Sequence, residues 1–408
     1  MELRPGYKHT ELGVIPDEWE VCTVRQMGEV LTGKALAVNA SGKQRPYLRT
    51  KNVMDGKIVI DDVLTMPMTE DQFAQFLLRD GDVLLNEGQS LELVGRCALY
   101  NGEFPEPCAI QNQLLRFRAR GTVSAVFASY LFRHCQQSGV FAKIALQTTS
   151  IAHLGGSRFE RLRLAWPTND GEQRAIAAAL GDADALLDGL DQLIAKKRDL
   201  KQAGMQQLLT GQTRLPGFHG EWETVSFGEI AAIRNAKAPA SSMPTGTPCV
   251  ELDSIDAHGS GRLLMWTEAV GSPAKYVFRT GDVLFGRLRA YLRKFWLASF
   301  DGICSTEIWP LITRDSRLVS GFLYLLVQTE GFIKAAEVSY GTHMPRSDWS
   351  VLKQVEVRLP SAEEQVAIAM ILSDMDAELG ALEARRSKTV ALKQAMMQEL
   401  LTGRTRLV

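Results

Sequence analysis

The chain has 408 residues, which is enough for two or three domains, and 45% of them are apolar. Its 46 Lys and Arg residues nearly balance 47 Asp and Glu residues, so no whole-molecule field draws the protein to nucleic acid or to a membrane. Any basic binding site must therefore be local.

The cysteines and the N-terminus exclude further classes. Six cysteines lie far apart without a C-x-x-C pair, which argues against a zinc ribbon, a redox dithiol and a disulfide scaffold. The first residues lack the apolar core of a signal peptide, and no run of about 18 apolar residues occurs. We therefore expect reduced thiols in a cytoplasmic protein that does not span a membrane.

The N-terminal region predicts mixed secondary structure. Strands are predicted at residues 59–60, 82–85 and 114–118, and a helix at residues 126–137. The dipeptides Asp55-Gly56, Asp80-Gly81 and Asn101-Gly102 are turn signals. This order lacks the regular strand-helix alternation of a doubly wound sheet.

Residues 172–215 then predict a long helix. Leu180, Ala183, Leu187, Leu190 and Ile194 have the alternating three- and four-residue spacing of a coiled-coil seam. Gly211 is placed to supply a left-handed cap residue. About 40 residues at a rise of 1.5 Å give a helix of roughly 60 Å, which is longer than a domain core needs.

The next region repeats the skeleton of the first. Strands are predicted at residues 283–285 and 355–359, a helix at 321–328 and a turn at Asp301-Gly302. The tetrapeptide at residues 81–84 recurs at 281–284, and Trp19-Glu20 recurs as Trp222-Glu223. The intervening residues differ, as expected for a duplicated module whose specificity has diverged.

A second long helix ends the chain and makes the duplication plain. Residues 172–215 align without a gap with residues 364–407 at an offset of 192, with 25 identities in 44 positions. The second copy ends at Gly403, and its seam is formed by Leu372, Met375, Leu379 and Leu382.

Charge is polarised along both helices. The first halves are acidic, with Asp182, Asp184, Asp188 and Asp191 in one copy and Asp374, Asp376, Glu378 and Glu383 in the other. The second halves are basic, with Lys196, Lys197, Arg198 and Lys201, and with Arg385, Arg386, Lys388 and Lys393. Antiparallel packing would set acid against base, so we predict an antiparallel pair; the alternative is a solvated charged face on two separate helices.

These elements predict an α+β protein with two globular domains separated by two long antiparallel helices, related by a pseudo-twofold repeat. The predicted bounds are 1–166 and 213–360 for the domains, and 167–212 and 361–408 for the helices.

The sequence contains no complete catalytic motif. Residues 28–35 have the glycines and lysine of a phosphate loop, but Ala35 replaces the magnesium-binding Ser or Thr, which favours an ordinary loop. Glu87 follows Asp82 as in a nuclease, but Gln89 replaces the lysine. The six histidines have no metal-ligand spacing. We predict no catalytic residue and no metal site in this chain.

Two segments of the sequence combine local positive charge with an aromatic residue. Residues 34–51 carry five cations and no acid, and residues 287–294 carry four cations around Tyr291. Guanidinium groups bind phosphate or a guanine edge bidentately, whereas a lysine-rich stretch is often only a solvated face. Residues 147–153 and 340–346 are polar loops at matching positions, unless they are unrelated surface loops. The candidate DNA-binding residues are Lys34, Arg45, Arg49, Lys51, Glu87, Gln89, Ser90, Gln147, Thr148, Thr149, Ser150, His153, Arg287, Arg289, Tyr291, Arg293, Lys294, Thr342, His343 and Arg346.

The whole chain resembles one family. Two diverged domains, Glu-Gln opening each long helix (Glu172-Gln173 and Glu364-Gln365) and Leu-Leu-Thr-Gly closing it are similar to the specificity subunit of type I restriction-modification systems. Residues 300–306 and 341–346 also resemble segments of one class of target-recognition domain.

The resemblance implies a non-catalytic DNA-binding subunit. Each domain would recognise one half of a split, asymmetric duplex target, and the helices would space the domains and dock two methyltransferase subunits. Those partners would use S-adenosylmethionine to methylate adenine, and restriction motor-nuclease subunits would use ATP and Mg; no cofactor is implied in this chain. The residues assigned to the spacer and docking helices are Leu180, Leu187, Leu190, Ile194, Leu208, Leu372, Met375, Leu379, Leu382 and Leu400.

Two other functions compete with this one. A coiled-coil adaptor would bind proteins and no DNA. A self-contained nuclease or nucleotide hydrolase would use Glu87 or residues 28–35, and would cleave DNA or turn over ATP without partners.

Overall fold

A computed structural model describes residues 4–35, 40–147, 150–271, 274–338 and 345–407. The chain forms two compact units, which divide within the long helices. Unit 1 is Met1–Leu190 with Arg385–Val408, and unit 2 is Asp191–Ala384.

Unit 1 is built from short strands and helices, with one four-stranded sheet and smaller sheets of two or three strands. Its strands are β1 (Tyr7–Thr10), β2 (Gly13–Pro16), β3 (Trp19–Thr23), β4 (Gly28–Thr32), β5 (Lys43–Leu48), β6 (Leu64–Met68), β7 (Asp82–Asn86), β8 (Gly88–Gln89), β9 (Cys97–Tyr100), β10 (Ala109–Ile110), β11 (Leu114–Ala119), β12 (Leu146–Gln147), β13 (Ala152–His153) and β14 (Arg163–Pro167). Its helices are α1 (Val24–Met27), α2 (Glu70–Phe76), α3 (Ala125–Gln137), α4 (Val140–Ile144), α5 (Gly156–Arg161) and the first part of α6 (Asp170–Leu209).

Unit 2 follows a similar order. Its strands are β15 (Glu223–Ser226), β16 (Ala231–Ile233), β17 (Lys237–Pro239), β18 (Pro248–Val250), β19 (Thr267–Glu268), β20 (Ala274–Phe278), β21 (Val283–Gly286), β22 (Phe295–Leu297), β23 (Gly302–Cys304), β24 (Ile308–Thr313) and β25 (Glu356–Leu359). Its helices are α7 (Phe227–Ile230), α8 (Ser320–Leu326), α9 (Glu330–Glu337), α10 (Trp349–Leu352) and the first part of α11 (Ala362–Leu400).

The central sheets of the two units have the same topology. The strand order is β4-β11-β7-β9 in unit 1 and β16-β24-β21-β22 in unit 2, with antiparallel neighbours throughout. Phe117 and Phe132 meet edge to face in the core of unit 1, and Phe285 and Phe332 do so in unit 2. The rest of each unit is therefore built on an equivalent platform.

A second sheet lies beside each platform. In unit 1 its order is β10-β5-β6, and in unit 2 it is β17-β20-β23-β18-β19. The parallel pair β10-β5 has its counterpart in the parallel pair β23-β18. Unit 2 thus extends the arrangement of unit 1 by two strands.

Within each unit, segments of α6 and α11 pair antiparallel. In unit 1, Lys393 donates to Asp184. In unit 2, the equivalent Lys201 donates to Asp376, and Lys197 lies 2.7 Å from Glu378. These pairs confirm the acid-against-base pairing predicted from the charge pattern, including the equivalence of the two copies at an offset of 192.

The start of each long helix is tied to its own unit by the same four residue types. In unit 1, buried Glu172 accepts hydrogen bonds from Trp19 Nε1 at 3.1 Å and from Arg406 Nη2 at 2.9 Å. Gln173 accepts from the Ser124 amide at 2.9 Å and donates to the Pro167 carbonyl at 2.9 Å. We call this set the Trp-Glu-Arg cluster of unit 1.

Unit 2 has the same cluster. Buried Glu364 accepts from Trp222 Nε1 at 3.2 Å and from both Nε and Nη2 of Arg214, at 2.6 and 2.7 Å. Gln365 accepts from the Val319 amide at 3.0 Å and donates to the Pro360 carbonyl at 2.9 Å. The repeated Trp-Glu and Glu-Gln motifs therefore contribute, together with Arg406 or Arg214, to one cluster in each unit.

Most predicted elements are confirmed. Strands β7, β11, β21 and β25 and helices α3, α8, α6 and α11 lie at the predicted segments, and Gly211 and Gly403 have positive φ values of 69° and 73°. Helices α6 and α11 end at Leu209 and Leu400, several residues before the predicted ends. The strand at residues 59–60 is wrong, because only the adjacent Ile58 forms an isolated bridge, to Val53. The turn at Asp301-Gly302 is also wrong in its glycine, since Gly302 opens strand β23, where its lack of a side chain lets Phe278 pack closely.

Among the described residues, no helix has both the length and the apolar character that crossing a membrane requires.

Candidate nucleic-acid interface

One polar cluster in unit 1 forms where β7 ends beside the start of β11. The Glu87 amide donates to the Gln113 carbonyl at 2.8 Å, and the Leu154 amide donates to the Glu87 carbonyl at 2.8 Å. Strand β13 pairs with β8, so His153 lies opposite Gly88. Three distant segments of sequence thus meet at this edge of the central sheet.

The side chains of this cluster are coupled. His153 Nδ1 lies 2.9 Å from Glu87 Oε2, and the Gly155 amide donates to Glu87 Oε1 at 3.2 Å. The His153 side chain is 42% exposed and that of Glu87 only 15%. The imidazole is therefore the more accessible partner of a pair whose carboxylate is held from two sides.

Unit 2 places a different cluster at the equivalent point. The Arg287 amide donates to the Glu307 carbonyl at 2.9 Å, and the Ser347 amide donates to the Arg287 carbonyl at 2.8 Å. Arg346 forms an isolated bridge with Leu288. These contacts match those of Glu87, Gln113 and Leu154 one for one.

Arg346 and Glu307 form a two-pronged ion pair. Arg346 Nε donates to Glu307 Oε2 at 2.9 Å, and Nη2 donates to Oε1 at 2.8 Å. The hydrogen bonds from Arg346 lower the pKa of the Glu307 carboxyl, and the same bonds raise the pKa of Arg346. The pair fixes the plane of the guanidinium.

Arg287 is held in another way. Its guanidinium lies over the ring of Trp309, 4.9 Å from the ring centroid, and its Nε is buried without a hydrogen-bond partner among the described residues. A planar cation stacked on an aromatic ring is preorganised for a flat ligand edge.

The other residues of the 287–294 stretch differ in their availability. Arg289 is exposed and Tyr291 is 53% exposed. Arg293 bonds to the exposed Glu330. The ammonium of Lys294 donates to the Leu252 carbonyl at 3.0 Å, and its side chain is only 11% exposed. Arg289 and Tyr291 are therefore accessible to a ligand, whereas the side chain of Lys294 is turned inward.

The basic stretch of unit 1 is largely paired with acids. Arg45 bonds to Glu70 and stacks on Phe73, 4.5 Å from the ring centroid. Arg49 and Lys51 both bond to Asp62. The bond from Lys51, together with Arg49, lowers the pKa of the Asp62 carboxyl. Lys34 is exposed.

Arg49 and Lys51 still lie near the polar cluster of unit 1. Thr50, between them, donates to Gln113 Oε1 at 3.4 Å. The structure therefore places this basic turn beside Glu87 and His153, whereas Arg45 lies on β5 and bonds to Glu70 at the start of α2.

The remaining predicted residues lie around the small sheet β12-β13-β8. Gln89 and Gln147 both lie opposite Ala152 in that sheet, and Ser90 and Ser150 are exposed. Thr148, Thr149, Thr342 and His343 lie outside the described residues.

Three residues at this interface were missed by the sequence analysis. Gln113, Glu307 and Trp309 lie at or near the start of β11 and β24, next to the predicted polar positions. The repeat contained a signal for two of them, because Gln113 and Glu307 each directly precede an equivalent central strand.

The phosphate-loop-like segment has a different structure. Residues Gly28–Thr32 form strand β4, paired with β11, and the described residues 33–35 and 40–42 that follow form no helix. Among the described residues, no three His, Cys, Asp or Glu side chains are grouped as metal ligands would be. Burial raises the pKa of the Cys108 and Cys135 thiols to about 12, so neither is a thiolate near neutral pH.

Most of the residues predicted to form the seams of the long helices are buried against other residues of their unit. Leu180 and Leu400 belong to the core of unit 1, and Leu208 and Leu372 to that of unit 2. Leu190, Ile194 and Leu379 are buried, and Leu187, Met375 and Leu382 are partly exposed. The equivalent residues Leu200 and Leu392 instead face outward, 49% and 60% exposed.

Comparison with known proteins gives one consistent family. Residues 219–392 match the family described as type I restriction modification DNA specificity domain. The chain is 25% identical to the putative type I restriction enzyme MjaX specificity subunit of Methanocaldococcus jannaschii, over 98% of this chain and 97% of that protein. The chain is thus similar over almost its whole length to a type I specificity subunit, and residues 219–392 match the DNA specificity domain of that family.

Other relatives agree with this similarity. The MjaVIII specificity subunit of Methanocaldococcus jannaschii is 22% identical over 96% of this chain and 94% of its own length. A crystal structure of the type I S subunit from M. genitalium is 16% identical, with a TM-score of 0.59 over 98% of both chains. A chain from a structural study of type I restriction-modification assembly is 18% identical, with a TM-score of 0.58 over 96% of this chain and 99% of that chain. These structures share the fold of this chain.

Proposed function

We propose that this chain is the non-catalytic DNA-recognition subunit of a type I restriction-modification complex. Each unit recognises one half of a split, asymmetric duplex target. The observation that carries this proposal is the pair of equivalent polar clusters: the same backbone contacts present Glu87, Gln113 and His153 in unit 1, and Arg287, Glu307 and Arg346 in unit 2.

The chemistry of these side chains suits the edges of base pairs. Sequence is read in the major groove by side chains that match the donors and acceptors of each base, and arginine on guanine is the commonest such contact. Arg287, stacked on Trp309, and Arg346, fixed by Glu307, present planar donors. Exposed Arg289 is suited to a phosphate, which contributes affinity without sequence information.

The long helices are proposed to dock two methyltransferase subunits. Outward-facing Leu200 and Leu392 support this, because a duplicated contact point fits two copies of one partner. Those partners bind S-adenosylmethionine and methylate adenine, and the motor-nuclease subunits use ATP and Mg. The functional division into 1–166, 167–212, 213–360 and 361–408 belongs to this proposal, as does action on DNA in the cytoplasm.

The test is a methylation map. The full chain is expressed with the methyltransferase subunit from the same genome in a host that lacks adenine methylation of its own at the resulting sites. We expect methylated adenines within two specified blocks separated by unspecified bases, and no new methylation when either subunit is omitted. A single continuous block, or an assembled complex that binds no duplex at low salt, would contradict the proposal and favour a protein adaptor.

A further inference from the structure

His153 and Arg346 occupy the same place in their units. Each lies on the segment that returns to the central sheet, opposite Gly88 in unit 1 and Leu288 in unit 2. The residue after each one donates its amide to an equivalent carbonyl at 2.8 Å, that of Glu87 or that of Arg287. The backbone therefore delivers both side chains to the same edge of the sheet.

Each of these side chains is held by a carboxylate, but the two carboxylates come from different positions. Glu87 follows β7, and the equivalent position in unit 2 is Arg287. Glu307 precedes β24, and the equivalent position in unit 1 is Gln113. A pair inherited unchanged from the duplication would keep its acid in one place. Here the acid comes from a different position in each unit, yet it still pairs with residue 153 or 346. This indicates that the function of the site depends on the orientation of these two side chains.

The carboxylates are themselves occupied. Both oxygens of Glu87 accept hydrogen bonds, from the His153 ring and the Gly155 amide. Both oxygens of Glu307 accept from Arg346. Each acid is therefore already engaged by the side chain it holds, and its remaining acceptor capacity belongs to a carboxylate that is only 15% exposed in Glu87 and 27% exposed in Glu307. Each acid thus acts mainly through the side chain it holds.

The held side chains keep one polar edge available. When the His153 ring is neutral and donates Nδ1–H to Glu87, its Nε2 is left as an acceptor, and the side chain is 42% exposed. Arg346 uses Nε and Nη2 for Glu307, which leaves Nη1 without a partner among the described residues, on a side chain that is 39% exposed.

We propose that His153 and Arg346 are the matched base-specificity determinants of the two half-sites, and that Glu87 and Glu307 are their positioning residues. His153 accepts a hydrogen bond from an exocyclic amino group, that of adenine or cytosine, and Arg346 donates to the acceptor edge of guanine. This inference rests on the proposed function, because it presupposes that each unit binds half of a duplex target.

The test uses the assembled complex with its methyltransferase partner and a library of duplexes in which each target position is varied in turn. Arg346→Lys keeps the charge but loses the planar fork, and should lower discrimination at one position of the second half-site roughly 5- to 150-fold. His153→Phe keeps an aromatic side chain but removes both ring nitrogens, and should relax one position of the first half-site only. In each variant the other half-site stays unchanged.

The test of the positioning residues must measure a property that general destabilisation of the protein would not change, namely the base preference at one target position. Glu307→Gln should relax the same base position as Arg346→Lys, by a smaller factor, and Glu307→Asp should restore part of it. Glu87→Gln should act on the His153 position alone. Arg314→Lys is the matched control, since its guanidinium donates to the Gly228 carbonyl away from the cluster and should leave both half-sites unchanged.

The outcomes separate this inference from the proposed function. Each variant complex is first compared with wild type by thermal denaturation and by binding to random duplex. Unchanged base preference in Arg346→Lys and His153→Phe complexes that still recognise the split site overturns the inference and leaves the proposed function standing. If Arg346→Lys fails to assemble, Glu307→Gln decides for unit 2: a loss confined to one base position supports the inference, and a uniform loss across all positions overturns it. A wild-type complex without a split target removes the proposed function itself.

Discussion

The Trp-Glu-Arg clusters have the same residue types in both units, whereas the polar clusters at the sheet edge differ in residue type between the units. Trp19, Glu172 and Arg406 have the same residue types and contacts as Trp222, Glu364 and Arg214. At the sheet edge, equivalent backbone contacts instead carry Glu87 against Arg287 and Gln113 against Glu307. Since the duplication, the buried residues that tie each long helix to its unit have therefore stayed the same, and the polar residues at the edge of each central sheet have changed.

Burial explains the difference. Glu172 and Glu364 are only 2% and 1% exposed, so a changed residue type would leave a buried partner unsatisfied. The side chains of His153 and Arg346 are about two-fifths exposed, and water can replace a lost partner there. The same molecule thus has sites where substitution is strongly destabilising and sites where it is tolerated.

The largest effect is expected in the Trp-Glu-Arg clusters. Glu172→Gln and Glu364→Gln should each lower the free energy of unfolding of their own unit by about 3 kcal/mol, since the ion pair between a buried carboxylate and a partly buried arginine is lost. Denaturant unfolding followed by hydrogen–deuterium exchange of peptides from each unit measures the two units separately, because the seven tryptophans of the chain lie in both units and their fluorescence would not distinguish them. The exposed Glu106→Gln variant is the control and should behave as wild type. Markedly unequal losses in the two units would show that the clusters are not equivalent.

The next effect is in DNA binding and concerns Arg287. Arg287→Ala should reduce discrimination in the second half-site by about 1 to 3 kcal/mol, and Arg287→Lys should recover little, because lysine has no planar fork to stack on Trp309. Titration of the assembled complex with matched and mismatched duplexes measures this. Arg317→Ala, whose side chain bonds to Asp315, should have no such effect. Equal discrimination in wild type and both Arg287 variants would exclude Arg287 from base contact.

The sequence predicted one side of this comparison better than the other. The long helices, their antiparallel pairing and the glycine caps were predictable because heptad spacing, charge order and the 192-residue offset are local patterns. The equivalence of Glu87 with Arg287 and of His153 with Arg346 was not predictable, because it depends on backbone hydrogen bonds between distant segments and the offset changes from 200 to 193.

The side-chain partners were also beyond the sequence. The basic stretch at residues 34–51 contains no acid, yet Glu70 and Asp62 neutralise Arg45, Arg49 and Lys51 from neighbouring elements. Lys294 belongs to a cationic run, but the fold directs its ammonium to a backbone carbonyl. Charge runs indicate where cations are, and only the tertiary structure shows which of them face solvent.

A smaller effect on stability is expected where the long helices pair in unit 1. Burial opposes ionisation of Asp184, but hydrogen bonds from Lys393 and Tyr130 outweigh it, and the pKa of this carboxyl is lowered. Asp184→Asn should therefore destabilise unit 1 by about 1 to 2 kcal/mol near neutral pH.

The pH dependence of this variant follows from the sign of that shift. A carboxyl with a lowered pKa stabilises the folded state above its ordinary pKa and loses that contribution as pH falls through the folded value. The stability curves of wild type and Asp184→Asn should therefore converge as pH falls from about 4 toward 2, as measured by thermal denaturation. A constant difference down to the lowest pH would mean that the Asp184 charge does not matter.

The smallest effects sharpen the comparison within one stretch of unit 2. Arg289 is exposed, so Arg289→Ala should weaken binding to all duplexes similarly and reduce the slope of log affinity against log salt by about one. Lys294 donates inward, so Lys294→Ala should leave that slope unchanged although the two residues are only five positions apart. Titrations of both variant complexes at two salt concentrations measure the difference. If Lys294→Ala flattened the slope as much as Arg289→Ala, the cationic run itself, rather than the orientation that the fold imposes on each side chain, would determine contact with phosphate.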